Sequence, residues 1–503
     1  MMPAHPAAPA VAAAPMPADA DAFAGPPDPR RPAAAGSART PTARGRKGGR
    51  LVVVSNRVAM PDQTATGGLA SAMRAALQER GGLWFGWSGK LAPRSAAELH
   101  RTNEGAIDYA TIDLSRPDHD DFYAGFSNSA LWPLFHYRPD LVDYHRGHVE
   151  GYFRVNALFA DELVKLLHPD DIIWVHDYHL IPLAAMLRER GVRNRIGFFL
   201  HTPLPAAGLL IALPRHRELL ETLASYDLVG LHTARDLRAL EEYFLHEAGG
   251  AMRPGGRLRA ANGRLFRAGV FPISIDTALV AETARTADQH EEVRQLRDSL
   301  DGRALIIGVD RLDYSKGLAQ RFEAYAHLLE RVPKLQARVT FLQIAPPSRG
   351  SVPEYRQIRR ELERTAGHIN GKYAAPDWVP IRYVNQSFPH HLLSGYYRVA
   401  RVGLVTPLRD GMNLVAKEYV ASQDPADPGV LILSRFAGAA QELTEALLVN
   451  PADTVEVGDA LERALKMPLR ERRARWRSMM AVLEKHDITA WRVAFLNALT
   501  AGG

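Results

Sequence analysis

The stretch Val402-Gly-Leu-Val-Thr-Pro-Leu-Arg-Asp-Gly-Met-Asn-Leu-Val-Ala-Lys-Glu-Tyr-Val-Ala421 decides the fold. Val402 to Val405 is a short apolar run and reads as a buried parallel strand. Thr406 to Gly411 is turn chemistry: Pro407 fixes φ, Gly411 permits φ > 0, and Asp410 tolerates tight corners. From Met412 onward Leu414, Val415, Tyr419 and Ala421 fall at helical spacing. Strand, polar turn and helix start put the turn at the carboxyl edge of a parallel sheet, where ligands sit in open α/β folds. The free N–H groups and positive dipole end of that helix suit a phosphate or diphosphate. Asp410 then stands beside the anion and Glu418 a little over one turn further in, placed to hold sugar hydroxyls rather than phosphate oxygens. Taken alone, a plain turn followed by a solvated Lys417-Glu418 pair is the better reading.

Outward from that stretch, 503 residues give room for two to four domains. A hydrophobic content of 46% and a charged content of 23% are those of an ordinary globular chain. No window offers about 20 uninterrupted apolar residues, so no membrane partner is expected. Cys is absent, which excludes disulfides, thiolate metal sites and Cys nucleophiles. That fits a reducing cytoplasm, the expected location. The net charge of +6 is misleading, because seven of the 62 basic and three of the 56 acidic residues fall within residues 1–50. The remainder carries 55 basic against 53 acidic side chains, so charge gives no case for nucleic acid as a partner.

Of the first 50 residues 26 are Ala or Pro, and residues 1–48 are expected to form a disordered tail, too poor in apolar pattern to offset chain entropy. Folded structure is expected from Leu51-Val-Val-Val-Ser55, followed by a glycine-bearing loop to Gly67-Gly68 and a helix through Arg80. That is the opening of a nucleotide-type βαβ unit without the G-x-G-x-x-G of dinucleotide binding. Strand–helix pairs follow at Ile172–His176, Arg195–Leu200 and Leu228–Leu231, and a first domain closes near Ile275. A second set runs through strands at Ala304–Asp310, Val339–Ile344, Ile381–Val384, Val402–Val405 and Val430–Leu433. The expectation is α/β: a first Rossmann-like domain over residues 49–275, a second over 276–485, and a C-terminal helix in 486–503 that packs back on the first. Two doubly wound domains then face one another across a cleft.

Several stretches carry chemistry. Arg311 and Lys316, five apart on a loop ending at Gly317, can clamp a diphosphate and neutralise a leaving group. No G-x-x-x-x-G-K-[ST] precedes Lys316, so it is not a P-loop lysine. His176, Asp177 and His179 end a strand; with no reason for the two imidazoles to converge, Asp177 reads as a hydroxyl-orienting carboxylate rather than a metal ligand. His201 ends the next strand on the same edge. No G-x-S-x-G is present for a hydrolase nucleophile. Asp19-Ala-Asp21 and Asp118-His-Asp120 match a metal-binding D-x-D only formally. The first lies in the tail, the second is expected to begin a helix, and neither is expected to follow a strand. Neither a metal nor a cofactor is expected.

Assembled, these words resemble the retaining trehalose-6-phosphate synthase family, which has the GT-B fold. They are Ser55-Asn-Arg57, Gly67-Gly-Leu-Ala70, Leu83-Trp-Phe-Gly-Trp-Ser-Gly89, Phe126-Ser-Asn-Ser-Ala-Leu-Trp-Pro133, His176-Asp-Tyr-His-Leu180, Asn194-Arg-Ile-Gly-Phe-Phe-Leu-His201, Arg311-Leu-Asp-Tyr-Ser-Lys-Gly317, Ser348-Arg-Gly350 and Arg409-Asp-Gly-Met-Asn-Leu-Val-Ala-Lys-Glu418. The resemblance implies a glucosyltransferase moving glucose from a nucleotide-glucose, UDP-glucose first among the candidates, to glucose 6-phosphate. It implies acceptor binding by Arg57, Tyr123, Trp132, Asp177 and Arg349. Donor binding falls to Gly68, His201, Arg311, Lys316, Asp410, Asn413, Leu414, Val415 and Glu418, with His201, Asp410, Arg311 and Lys316 at the reacting centre. A homo-oligomer is expected. A related synthase with glycerol phosphate as acceptor and a non-catalytic regulatory subunit are the alternatives. The chain departs from the family at Leu204-Pro-Ala-Ala-Gly208, where an acidic residue is usual, and at His232-Thr-Ala234, where Gln-Thr-Glu is common.

Since residues 1–48 carry no packing pattern, deleting them is expected to leave melting temperature and turnover nearly unchanged; a large fall in either would show that the segment docks on the folded body.

Overall fold

Val52, Val53 and Val54 are fully buried because their strand, Leu51–Arg57, has parallel neighbours on both sides, Gly82–Ala92 and Ile172–His176. The computed structural model describes residues 49–60, 68–96, 98–348 and 353–501. The 1–48 tail, Gly67 and Arg349 lie outside them. Two sheets organise these residues. The first has ten strands, with a parallel centre that continues through Arg195–Phe199, Leu228–Leu231 and Leu265–Val270. Its flanks are the antiparallel pair Leu99–Glu104 with Ile107–Ser115 and, at the other edge, two three-residue strands, Ala251–Arg253 and Arg257–Arg259. The second sheet has six strands, all parallel, with Ala304–Val309 and Val402–Val405 side by side at its centre. Central strands with almost no polar residue, such as Val402–Val405 and Val430–Ser434, follow from burial on both faces.

These are the two facing α/β halves of the GT-B arrangement. The decisive strand–turn–helix is as expected, except that the helix Leu414–Ala421 starts two residues later than the hydrophobic pattern suggests. Asn413, in a left-handed conformation (φ 77°), caps it by accepting from the Ala416 N–H. The last helix is Ile488–Thr500, capped by Asp487 and set off from the helix Leu469–Lys485 before it. Two expectations are corrected. Asp118-His-Asp120 does follow a strand directly, since the short helix Arg116–His119 begins where Ile107–Ser115 ends; Ser115 caps it, accepting from the Asp118 N–H. Lys417 is not solvated: its side chain is fully buried and donates to Glu442 Oε2 at 2.7 Å and to the Ile273 carbonyl at 2.8 Å.

The core does not stop at the domain boundary. One continuous apolar cluster joins Leu51, Trp84 and Trp174 of the first sheet to Leu305, Ile307 and Tyr419 of the second. Trp491, Phe495 and Leu499 of the last helix lie in the same cluster. Phe495 stacks on Trp174 with ring centroids 4.7 Å apart. It lies over Gly197 and Gly230, where an added Cβ would come within 2.9 Å and 2.6 Å of its ring. Arg492 pairs with Glu79, and Arg267 donates to the Ala498 carbonyl at 2.5 Å. No helix among the described residues is long and apolar enough to cross a membrane.

Phe495→Ala removes a fully buried ring from the seam and is expected to cost about 3–5 kcal/mol, read as a large fall in melting temperature by calorimetry. A variant melting within a degree or two of wild type would show that the seam contributes little.

Candidate active site

The turn after Val402–Val405 is held from both sides. Leu408 N–H donates to the Ser315 carbonyl at 2.8 Å, and Asp410 forms an isolated parallel bridge with Ala437. Asp410 Oδ2 accepts from Lys316 Nζ at 2.6 Å and from Asn413 Nδ2 at 3.0 Å. Burial opposes the charge on Asp410, but the Lys316 ammonium overcomes it and keeps the carboxyl below its ordinary range. Lys316 itself closes a one-turn helix that begins after Asp313, whose Oδ1 accepts from the Ser315 N–H and hydroxyl and whose Oδ2 accepts from Tyr355. Gly317 follows at φ 66°, and a Cβ there would meet the Thr406 carbonyl oxygen at 2.5 Å. Behind these loops Arg321, fully buried, donates to Thr406 Oγ1 and the Lys316 carbonyl and pairs with Asp310 at 2.6 Å. Lys316 and Asp410, 94 residues apart, are therefore fixed by one buried network.

Across the cleft His201 leaves the end of Arg195–Phe199. Its N–H donates to Asp177 Oδ1 at 3.1 Å, and its Nε2 lies 3.0 Å from His176 Nδ1. Although His201 is partly exposed, Phe199, His232 and Trp491 surround its ring. Burial, then His232, hold it well below the ordinary imidazole value. His176 is depressed by burial and by His201. The two form a neutral pair, able to share a hydrogen bond but not to carry a charge. Asp177 takes φ 75°, ψ 166°, a costly conformation for a non-glycine residue, to aim its carboxylate at the next strand end. The two domains touch at this point: a Cβ on Gly411 would lie 2.2 Å from the His201 carbonyl oxygen.

The remaining sequence candidates sort by region. Tyr123 stacks on His179 at 5.9 Å and meets Trp87 at 5.8 Å. Trp132 packs on His136 and Tyr178, and the Arg311 guanidinium from the other domain lies 5.7 Å above its ring. The Arg57 guanidinium stands against Gly89, where a Cβ would come within 2.7 Å of it. Leu414 and Val415 are partly buried against the shared core. Glu418 faces His390, with Oε1 and Nε2 3.8 Å apart, and hydrogen bonding and charge from that carboxylate raise His390 above its ordinary value against the effect of burial. Gly68 opens the helix Gly68–Arg80. Among the described residues no cluster of three His, Asp or Glu side chains could hold a metal ion; His176 turns to His201 whereas His179 stacks on Tyr123.

Three residues assigned no role from the sequence belong to the same neighbourhood. Burial pushes His136 down to about 4, and Asp313, Lys316 and Asp410 of the other domain all act on it. Trp87 backs Tyr123. Burial and Lys417 take His232 down to about 3. None follows a spacing rule; His136 is legible only as a polar residue directly after the apolar run Leu131-Trp-Pro-Leu-Phe135.

The model of the family described as Glycosyltransferase family 20 matches residues 47–501. The chain belongs to that family. The trehalose-6-phosphate synthase of Sinorhizobium fredii is 52% identical over 457 residues, 90% of this chain and 98% of its own. A solved UDP-forming alpha,alpha-trehalose-phosphate synthase from Burkholderia xenovorans, in complex with glucose-6-phosphate, is 51% identical with a TM-score of 0.86, covering 90% of this chain and all of its own. A solved structure from E. coli bound with UDP-2-fluoro glucose is 50% identical with the same TM-score, covering 90% and 98%. Family membership thus spans both domains and the last helix.

The Lys316–Asp410 pair gives a pH prediction. With Asp410 lowered in the folded protein, the pair's contribution is complete above the ordinary carboxyl value of about 3.9 and is lost only as pH falls through the lowered one. Asp410→Asn strands Lys316 without its counter-ion. A fully buried pair broken this way costs about 3–5 kcal/mol, and less here, with 11% and 14% of the side chains exposed. Calorimetry is expected to find variant and wild type melting apart at pH 7 and converging below the carboxyl range.

Proposed function

We propose that this member of glycosyltransferase family 20 transfers glucose, with retention, from UDP-glucose to glucose 6-phosphate, giving α,α-trehalose 6-phosphate. One observation carries the reading: the Arg311 guanidinium of the second domain lies over the Trp132 indole of the first. A cation suited to a departing diphosphate and a ring suited to a sugar face thereby stand at one point. The names of the relatives from Sinorhizobium and Burkholderia support it, as do the glucose-6-phosphate and UDP-2-fluoro glucose found in the solved relatives.

In this proposal Arg311, Lys316 and the amino end of Leu414–Ala421 stabilise the diphosphate as the glycosidic bond breaks. Glu418, Leu414 and Val415 seat the nucleoside side, with Gly68 opposite. Asp410, oriented by Lys316 and Asn413, and neutral His201 hold the transferring glucose. Asp177, Tyr123 and Trp132 hold the acceptor ring, and Arg57 and Arg349 its phosphate. No protein carboxylate is placed as nucleophile; the acceptor hydroxyl attacks from the face the phosphate leaves, and that phosphate takes its proton. Losing one charge-stabilising contact of this kind raises the barrier by about 3–4 kcal/mol. A cytoplasmic location and assembly as a homo-oligomer belong to the same proposal.

Purified protein is to be assayed with UDP-, GDP- and ADP-glucose against glucose 6-phosphate and glycerol 3-phosphate. The expected result is trehalose 6-phosphate from UDP-glucose; turnover with glycerol 3-phosphate alone would replace the acceptor assignment. Arg57→Ala is expected to raise the acceptor KM while calorimetric UDP affinity stays near wild type, and Arg311→Ala to weaken UDP and lower turnover at saturating acceptor. A folded Arg57→Ala that lost nucleotide affinity and kept its acceptor KM would refute the division of the site.

A further inference from the structure

A second, narrow crevice opens between the two domains. It shares Asp410 and Gly411 with the site above, but neither Arg311, Lys316 nor Trp132 lines it. Three guanidinium groups do: Arg235 from the first domain, Arg409 and Arg435 from the second. Arg409 is the unusual one. Its planar head lies 3.8 Å from the ring centre of Tyr137 of the first domain and 4.9 Å from that of Phe436 of the second. One aromatic ring from each domain thus holds this guanidinium. Among the described residues none of its donors has a hydrogen-bond or ion-pair partner, and its Nε is buried without one. A buried unpaired polar group of this kind costs free energy unless something absent from the protein satisfies it.

The carboxylates nearby are already used. Asp236 accepts from the Thr233 N–H and hydroxyl and from the Leu204 N–H, and Asp410 is held by Lys316 and Asn413. Arg435 pairs with Glu456 at 2.6 Å, whereas Arg235 has no acidic partner among the described residues. Burial and then Arg235 itself bear against the charge on Arg409, with Tyr137 and Asp236 in its favour. Thr233 is at once part of the wall and the N-cap of the helix Ala234–Glu242, so the positive end of that dipole adds to the field. Two unneutralised arginines thus face each other across a domain boundary in a narrow crevice.

We propose that this crevice binds a phosphate-class oxyanion, either inorganic phosphate or the phosphate end of a small phosphomonoester, separately from both substrates. Planar guanidinium edges match such an oxygen pair, and an anion touching Arg235 and Arg409 together braces the closed pair of domains.

The test is calorimetric titration of inorganic phosphate into the full-length protein preloaded with UDP and glucose 6-phosphate. A parallel titration of unloaded protein compares wild type, Arg235→Glu and Arg57→Ala. Saturable phosphate binding to the loaded wild type is expected. Arg235→Glu should weaken it at least about tenfold while both substrate KM values stay within about twofold, and Arg57→Ala should leave it intact. A second arm replaces phosphate with glycerol 3-phosphate: tighter binding of the ester names a phosphomonoester as occupant, and equal or weaker binding names free phosphate. Arg235 is exposed, so Arg235→Glu should fold, and Arg235→Gln serves as a second variant if its melting curve differs. Loss of phosphate binding on loading with UDP would overturn the proposal by assigning the anion to the donor site, as would equal affinity in wild type and the folded Arg235 variants. If UDP does not bind at all, the donor assignment fails, while the contrast between Arg235→Glu and Arg57→Ala in unloaded protein still decides the crevice.

Discussion

No side chain fits between Gly411 and the His201 carbonyl oxygen, and the rest of the cleft depends on that contact. A Cβ there would stand 2.2 Å from the oxygen and 3.1 Å from the His232 ring. The two sheet edges can meet only because one of them carries glycine at this place. Gly438 repeats the demand one layer behind, where a Cβ would fall 1.9 Å from the Gly411 carbonyl oxygen. With the edges this close, Arg311 reaches Trp132 and Arg409 reaches Tyr137. Residues distributed over two domains then act on the same few ångströms. Ion pairing does a different job: Arg321 with Asp310, Lys417 with Glu442 and Lys316 with Asp410 fix the loops of the second domain in register. Each pair buries charge at considerable desolvation cost, so their worth lies in setting geometry more than in stability.

Much of the parallel architecture was legible because buried strands are written as unbroken apolar runs. Leu51–Val54, Ile172–His176, Ala304–Val309 and Val402–Val405 announce themselves in this way. The flanks do not. Leu99–Glu104 is almost wholly exposed, so its sequence, Leu-His-Arg-Thr-Asn-Glu, has no reason to alternate, and the three-residue strands at the other edge are too short for a period. Gly82–Ala92 was quoted as a motif but not read as a strand, since Gly and Trp interrupt its pattern.

In the site, the residue types and their strand-end positions were readable, and their partners were not. Lys417 looked solvated because a lysine beside a glutamate usually is; the acceptors that bury it, Glu442 and the Ile273 carbonyl, lie 25 residues ahead and 144 behind. Asp410 was placed beside an anion, with no sign that a lysine 94 residues earlier would hold it. Trp87, His136 and His232 were given no role for the same reason: each matters through a neighbour that only the folded chain supplies. Arg349 falls outside the described residues, so its partnership with Arg57 rests on the sequence motif.

The last helix also sets an order of events during synthesis. Phe495 and Leu499 cover Gly197, and Phe495, with Phe199, covers Gly230, so the first sheet presents an apolar trough until the ribosome has passed Leu499. Trp174 and Phe199, buried in the finished protein, border that trough. The first domain to emerge is therefore the last to be sealed, and throughout elongation it holds a hydrophobic face that a chaperone can occupy or a neighbouring nascent chain can misuse.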